Sequence, residues 1–164
     1  MTTTTSGTAK VTLPGDNQIL ITREFNAPRH LVWRAYTTPE LVRRWWAGDK
    51  GKVTAADIDL RVGGAWRYVM EANGGFEVAF RGEYREIDAP DRLVHTEIFE
   101  GLPDPDDHVG VITTTLTEKD GRTHMEMLCA YRDQADRDAV IASGMEGGMQ
   151  ESLDHLEKVA VELS

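Results

Sequence analysis

Apolar residues recur with a period of two along most of the chain and with a period of three to four at its C-terminal end, which divides it into a strand-rich body and a closing helix. The run Gln18-Ile19-Leu20-Ile21-Thr22-Arg23-Glu24-Phe25 is built of strand formers and stops at Asn26-Ala27-Pro28, where proline in the first turn starts a helix. Leu31, Val32, Ala35 and Tyr36 share one face of that helix. A second short helix begins after Thr38, a good cap with Pro39 at the first helical position, and runs through Leu41 and Val42 to Trp45-Trp46. From Val53 to Tyr131 short runs are separated by turn residues at Gly63-Gly64, Asn73-Gly74-Gly75, Asp88-Ala89-Pro90-Asp91, Gly101 to Asp107 and Lys119-Asp120-Gly121, which predicts six strands in an antiparallel meander. On Ala65 to Glu71 the alternation puts Trp66, Tyr68 and Met70 on one face and Arg67 and Glu71 on the other. The chain closes with a helix from about Arg137 to Leu163, whose apolar positions Ala142, Met145, Met149, Leu153, Leu156, Ala160 and Leu163 form one stripe. Its opposite face carries Glu151, Asp154, Glu157 and Lys158. At about 1.5 Å per residue that helix spans roughly 40 Å, enough to cross a small sheet.

One apolar stripe and one apolar sheet face predict an α+β fold in which a curved antiparallel sheet wraps around the long C-terminal helix, with two short helices after the first main strand. Residues 18–164 read as one domain. Residues 1–17 read as an N-terminal tail, Thr-rich and mobile over residues 1–9, with a possible short edge strand at Lys10-Val11-Thr12-Leu13 before Pro14-Gly15. A strongly twisted sheet cannot follow a straight helix along its whole length, so space left at the mouth becomes a pocket. The helix half nearest that mouth reads Ser143-Gly144-Met145-Glu146-Gly147-Gly148-Met149, and each glycine there costs roughly 1 kcal/mol of helix stability relative to alanine. Such glycines serve either close backbone packing or room for a guest, and the flanking methionines suit an adaptable surface or an ordinary core.

Eighteen basic against 28 acidic residues give a net charge of −10, which excludes a concentrated basic surface and with it nucleic acid and anionic membranes as partners. No apolar run reaches the roughly 20 residues that span a bilayer, and the first six residues lack the basic-then-apolar order of a signal peptide, so a cytoplasmic protein is expected. The single cysteine, Cys129, excludes an internal disulfide framework and a structural zinc site; it reads as a small core thiol. No phosphate-cradling glycine loop precedes a helix and no serine occupies a nucleophile elbow. Neither a cofactor nor a metal is expected.

The candidate ligand-binding residues are aromatic. Trp45 and Trp46 either line the mouth or plug the open end of the sheet, and Trp66, Tyr68, Met70, Phe80 and Tyr84 alternate on adjacent strands so as to form one wall. Gly144, Met145, Gly148 and Met149 face them from the helix. On Leu93 to Phe99, His95 and Glu97 share a face with Leu93 and Phe99. If that face points inward they form an acid–base pair beside the cavity, and if outward they are solvated strand residues; no catalytic residue is assigned beyond these two candidates. His124 and Glu126 alternate on the face opposite Met125, Met127, Cys129 and Tyr131, which points to solvent. The segment Asp59 to Gly64 has a structural account, two glycines permitting a tight connection and Arg61 pairing with a carboxylate.

Five ordered motifs carry a resemblance: Ile21-Thr22-Arg23-Glu24-Phe25-Asn26-Ala27-Pro28 followed by Leu31-Val32-Trp33-Arg34-Ala35-Tyr36; Thr38-Pro39-Glu40 with Arg44-Trp45-Trp46; Asp59-Leu60-Arg61-Val62-Gly63-Gly64; Gly82-Glu83-Tyr84-Arg85-Glu86-Ile87; and Gly144-Met145-Glu146-Gly147-Gly148-Met149-Gln150-Glu151-Ser152-Leu153. From about Ile19 to Leu163 the chain resembles the bacterial homologues of the activator of the heat-shock-protein ATPase, a branch of the START-like (SRPBCC) superfamily. The resemblance implies the helix-grip fold with a pocket between sheet and long helix. Superfamily members bind or transform lipids, polyketides, hormones and other hydrophobic or aromatic molecules. Relatives often carry tryptophan near the start of the last helix, where this chain has Met145 and Met149.

The expected function is therefore binding of a small hydrophobic, aromatic or polyketide-like metabolite. Two alternatives stand beside it: an enzyme of the same fold using His95 and Glu97 for proton transfer, and a chaperone-associated interaction module. A homodimer is compatible with the sequence as well.

Overall fold

Alternation along Gln18–Phe25 becomes a strand in which Ile19, Ile21, Arg23 and Phe25 are buried. The computed structural model describes residues 3–5 and 9–164; the mobile-tail expectation for residues 1, 2 and 6–8 lies outside the described residues. In chain order the strands are β1 (Thr3–Thr5), β2 (Lys10–Thr12), β3 (Gln18–Phe25), β4 (Gly51–Ile58), β5 (Ala65–Ala72), β6 (Glu77–Asp88), β7 (Arg92–Phe99), β8 (Gly110–Lys119) and β9 (Arg122–Ala130). The helices are α1 (Arg29–Thr37), α2 (Pro39–Trp45), α3 (Gln134–Ala142) and α4 (Met145–Glu162).

One antiparallel sheet of nine strands has the order β1-β2-β3-β9-β8-β7-β6-β5-β4. The six strands from β4 to β9 form the expected meander, and β3 closes onto β9 with Ile19 opposite Cys129 and Ile21 opposite Met127. Two helices fill the connection from β3 to β4, the first entered after Pro28 and the second with Pro39 in its first turn. The sheet's inner face and α4 enclose the core, so the fold is the helix grip. None of the helices is long and apolar enough to cross a membrane.

Two expectations are corrected. Residues 3–5, read as tail, pair with β2 and become the edge strand, which leaves Lys10–Thr12 second from the edge. The closing helix is not continuous from Arg137: it breaks between Ala142 and Met145, where Gly144 adopts φ +82°. That left-handed conformation is cheap for glycine and ends α3 as a C-cap, so Ala142 lies exposed and the 18 residues of α4 alone cover the sheet, over about 27 Å.

The charged side of α4 is only partly solvated. Arg23, buried on the inner face of β3, donates to the Leu153 carbonyl at 2.5 Å and pairs with Asp154 at 3.0 Å and Glu157 at 3.3 Å. Glu157 also accepts from the Asn26 amide, and the buried Gln150 amide exchanges two hydrogen bonds with the Ala9 backbone at 3.0 and 2.8 Å. Ser152 donates to the Trp46 carbonyl at 2.6 Å. These polar latches, with Leu153, Leu156, Val159 and Ala160 buried between them, hold the helix at both sides of the sheet. Each fully buried leucine contributes about 1.5–3 kcal/mol.

Candidate functional site

Strand β7 settles the orientation that alternation left open. Leu93 and His95 are buried, and His95 pairs across the sheet with Tyr84 on one side and Ile112 on the other, so the face carrying His95 and Glu97 points inward. Phe99 lies opposite Phe80, and Glu97 opposite Gly110. The β6–β7 ladder shifts register only beyond the Tyr84–His95 pair, between Tyr84 and Glu86. The Thr96 carbonyl accepts from the Trp66 indole N–H at 3.1 Å and from His95 Nδ1 at 3.0 Å, while the Thr96 hydroxyl accepts from the Glu83 amide at 2.9 Å. Because a carbonyl only accepts, His95 carries its proton on Nδ1 and leaves Nε2 as a bare lone pair.

Two glycines make room for rings around Glu97. A Cβ on Gly82 would lie 1.9 Å from the Thr96 carbonyl oxygen and 2.5 Å from Trp66 Nε1; one on Gly110 would lie 3.0 Å from the Tyr131 ring. The register sets Gly82 on the β6 side of Glu97 and Gly110 on the β8 side, so Trp66 and Tyr131 fold toward the carboxyl from either hand. Trp66 also contacts Tyr68 at 4.8 Å and His95 at 5.2 Å between ring centres. Trp46 meets Tyr68 and Phe80 edge-on at 5.5 and 5.8 Å, and Phe80 lies 5.0 Å from Phe99.

Burial retunes the titratable groups clustered around Glu97. It pushes the Glu97 carboxyl up to about 7 and pulls the His95 imidazole down to about 4, the latter partly countered by the Thr96 carbonyl. It also raises the hydroxyls of Tyr36 and Tyr68, Tyr84 to about 12, the Cys129 thiol to about 12, and Tyr131. Repulsion from Glu97 adds to the rise at Tyr36, Tyr68, Cys129 and Tyr131, which puts that carboxyl at the electrostatic centre of the cluster. Around neutrality, then, the site is a neutral imidazole and one carboxyl poised between its two forms, among neutral hydroxyls. Glu97 makes no hydrogen bond or ion pair with the described residues, and neither does His95 Nε2. Two surface depressions, about 330 Å³ beside Asn26, Glu157 and Val161 and about 290 Å³ at the β8–β9 hairpin, lie away from this face.

The sheet and helix grip are shared with solved structures. A Rhodobacter sphaeroides protein superposes with a TM-score of 0.85 at 26% identity, covering 95% of this chain and 99% of its own. A Mycobacterium smegmatis protein gives 0.82 at 25% identity with 96% of each chain covered, and an Arthrobacter aurescens protein 0.82 at 26% with 93% and 91%. No curated protein matches. A family profile described as Activator of Hsp90 ATPase homolog 1-like protein matches residues 26–160. The chain belongs to that family.

Within this Hsp90-ATPase-activator-like chain, Trp66, Tyr68, Phe80, Tyr84, His95 and Glu97 come together on the inner face, with Met70 beside them on β5. Trp45 does not join them: it is buried, donates to the Ala35 carbonyl at 2.9 Å and stacks on Tyr36, so it is the plug and Trp46 is the wall. Met145 and Met149 pack against the core from α4. Nothing lies within 4 Å of a Cβ built on Gly144, Gly147 or Gly148, which removes close backbone packing as the reason for these glycines. Gly144 is explained by its φ instead. Sequence reasoning missed Tyr36, Cys129 and Tyr131 as neighbours of Glu97; the period-two pattern already set Cys129 and Tyr131 on one face, whereas Tyr36 arrives from α1 through its contact with Thr114 at 3.4 Å.

His124 and Glu126 are largely solvent-exposed, on the outer face, 3.5 Å apart. The Asp59–Gly64 turn is held by an exposed Asp59–Arg61 pair and by two backbone hydrogen bonds to Tyr84, from Gly63 and to Gly64. Among the described residues no three metal-ligating side chains gather.

Proposed function

We propose that the chain binds a small hydrophobic, aromatic or polyketide-like metabolite between the sheet and α4. The observation that carries this reading is an aromatic inner face whose central polar atoms, the Glu97 carboxyl and His95 Nε2, have no partners among the described residues. Buried polar groups are normally satisfied, and a guest that meets these two while laying a ring on Trp46, Tyr68 and Phe80 would satisfy them. Open space beside Gly148 supports the same reading. A panel of small phenols and polycyclic aromatics, followed by thermal shift and by quenching of the four tryptophans, tests it. Saturable quenching with stabilisation is expected; a panel with no binder rejects the reading.

A second reading adds chemistry to the same site. A carboxyl that titrates near 7 is matched to proton transfer at neutral pH. Exchange of solvent deuterium into the α-carbon of a bound aromatic ketone, lost in Glu97→Gln, is its signature. Family membership supports a third reading, contact with a chaperone ATPase, which stimulation of that ATPase by the purified protein would test.

A further inference from the structure

The ligand reading leaves open which polar group the guest presents, and the charges on the inner face narrow it. The buried arginines among the described residues are both engaged: Arg23 by Leu153, Asp154 and Glu157 midway along α4, and Arg137 of α3 by Asp138 at 2.7 Å and by the Gly15 and Gln18 carbonyls at 3.1 and 3.2 Å. Glu97 is left with no cation and no donor among the described residues. The groups facing it are Tyr36 from α1, Tyr68 from β5, Tyr84 from β6, His95 from β7 itself, and Cys129 and Tyr131 from β9. β8 contributes Gly110, Ile112 and Thr114, which do not titrate. In the first turns of α4 the ionisable side chains are carboxylates, Glu146, with a buried Oε1 lacking a hydrogen-bond partner, and Glu151, which caps the Asp49 amide and pairs with Lys50. An anionic guest would therefore meet carboxylates and, among the described residues, buried guanidinium groups that already have partners. Aromatic ring faces attract cations, and the overall charge of −10 raises their local concentration.

Resting on the ligand reading, we infer that the guest is an organic cation, an aromatic amine whose ammonium group pairs with Glu97 while its rings lie against Trp46, Tyr68 and Phe80. Burial holds Glu97 near 7, whereas His95 stays neutral above about 4 and Tyr84 and Cys129 stay neutral up to about 12, so Glu97 is the group on this face that changes charge between pH 5 and 9. An ammonium guest favours the ionised carboxyl, and its affinity must fall as pH drops below 7, by a factor approaching ten per pH unit.

The test uses three probes of one shape: 1-naphthylmethylamine, 1-naphthalenemethanol and 1-naphthoic acid, titrated into the whole chain by calorimetry from pH 5 to 9. The amine is expected to bind at least about tenfold more tightly than the alcohol and the acid at pH 8, and to lose that lead toward pH 5. Glu97→Gln should abolish the lead while leaving the alcohol bound; the pH profile of the unmodified protein tests the same pairing without any variant. Equal or tighter binding of the alcohol or acid, or an amine lead that persists at pH 5 or in Glu97→Gln, overturns the cation inference and leaves the ligand reading standing. Failure of all three probes overturns the inference and counts against the aromatic pocket itself.

Discussion

Replacing Glu97 and His95 by glutamine, singly and together, should unmask two proton linkages that cancel in the unmodified protein. Glu97 sits near 7 in the folded chain against an ordinary 4.5, so between those values the folded state holds a proton that the unfolded state has released. Its contribution to stability is intact below 4.5 and is lost as pH rises to about 7. His95 sits near 4 against an ordinary 6.5, so between those values the unfolded state holds the extra proton, and stability is lost as pH falls. Each window is about 2.5 pH units wide, and at roughly 1.4 kcal/mol per unit each penalty amounts to about 3 kcal/mol. Neither group is among the causes of the other's shift, so the two add. From about 4.5 to 6.5 their slopes oppose and the pair contributes no net pH dependence. Glu97→Gln should gain stability with pH across that range and exceed the unmodified protein by up to about 3 kcal/mol at pH 8, apart from a constant offset. His95→Gln should lose stability with the opposite slope, offset by the missing bond to Thr96. Urea unfolding at half-unit pH steps reads both, and differences from the unmodified chain remove every other titration. Single variants whose curves run parallel to the unmodified one would refute the assignment of these two buried groups.

Gly148→Leu should leave the unfolding free energy unchanged or raise it by up to about 0.8 kcal/mol, with the denaturant midpoint moving accordingly, because its side chain meets open space, while weakening any aromatic ligand. A fall in midpoint would place backbone or side chain where that space is drawn. Gly144→Leu should behave differently from its neighbour and cost about 1–2 kcal/mol, since φ +82° strains any L side chain. Gly82→Ala should cost about 2–3 kcal/mol and shift tryptophan emission, its methyl colliding with the Thr96 carbonyl and the Trp66 indole; an unaltered midpoint and spectrum would contradict that packing. Cys129, buried with its thiol pushed to about 12, should react with iodoacetamide only as fast as the chain opens, and rapid labelling of the folded protein would show otherwise.

The period-two and period-three-to-four patterns determined most of the architecture. Gln18–Phe25, the prolines at 28 and 39 and the glycine and aspartate turns between β4 and β9 act within a few residues of themselves, so their elements could be read without knowing what they pack against. Alternation likewise sorted Trp66, Tyr68 and Met70 from Arg67 and Glu71. It placed His95 beside Glu97 on one face but could not say which way that face turned, because period two is identical for a strand and for its mirror about the sheet plane. Pairing with Tyr84 and Ile112 decided it. The break at Gly144 was masked because apolar residues on both sides keep helical spacing, and only a positive φ distinguishes a C-cap from a tolerated helix glycine. The division between Trp45 as plug and Trp46 as wall, the arrival of Tyr36 from α1, and the shifts at Glu97 and His95 all depend on which groups surround a side chain in space. Burial and charge pairing are properties of assembled neighbours, so the chemistry of this site came into being only when the helices closed over the sheet.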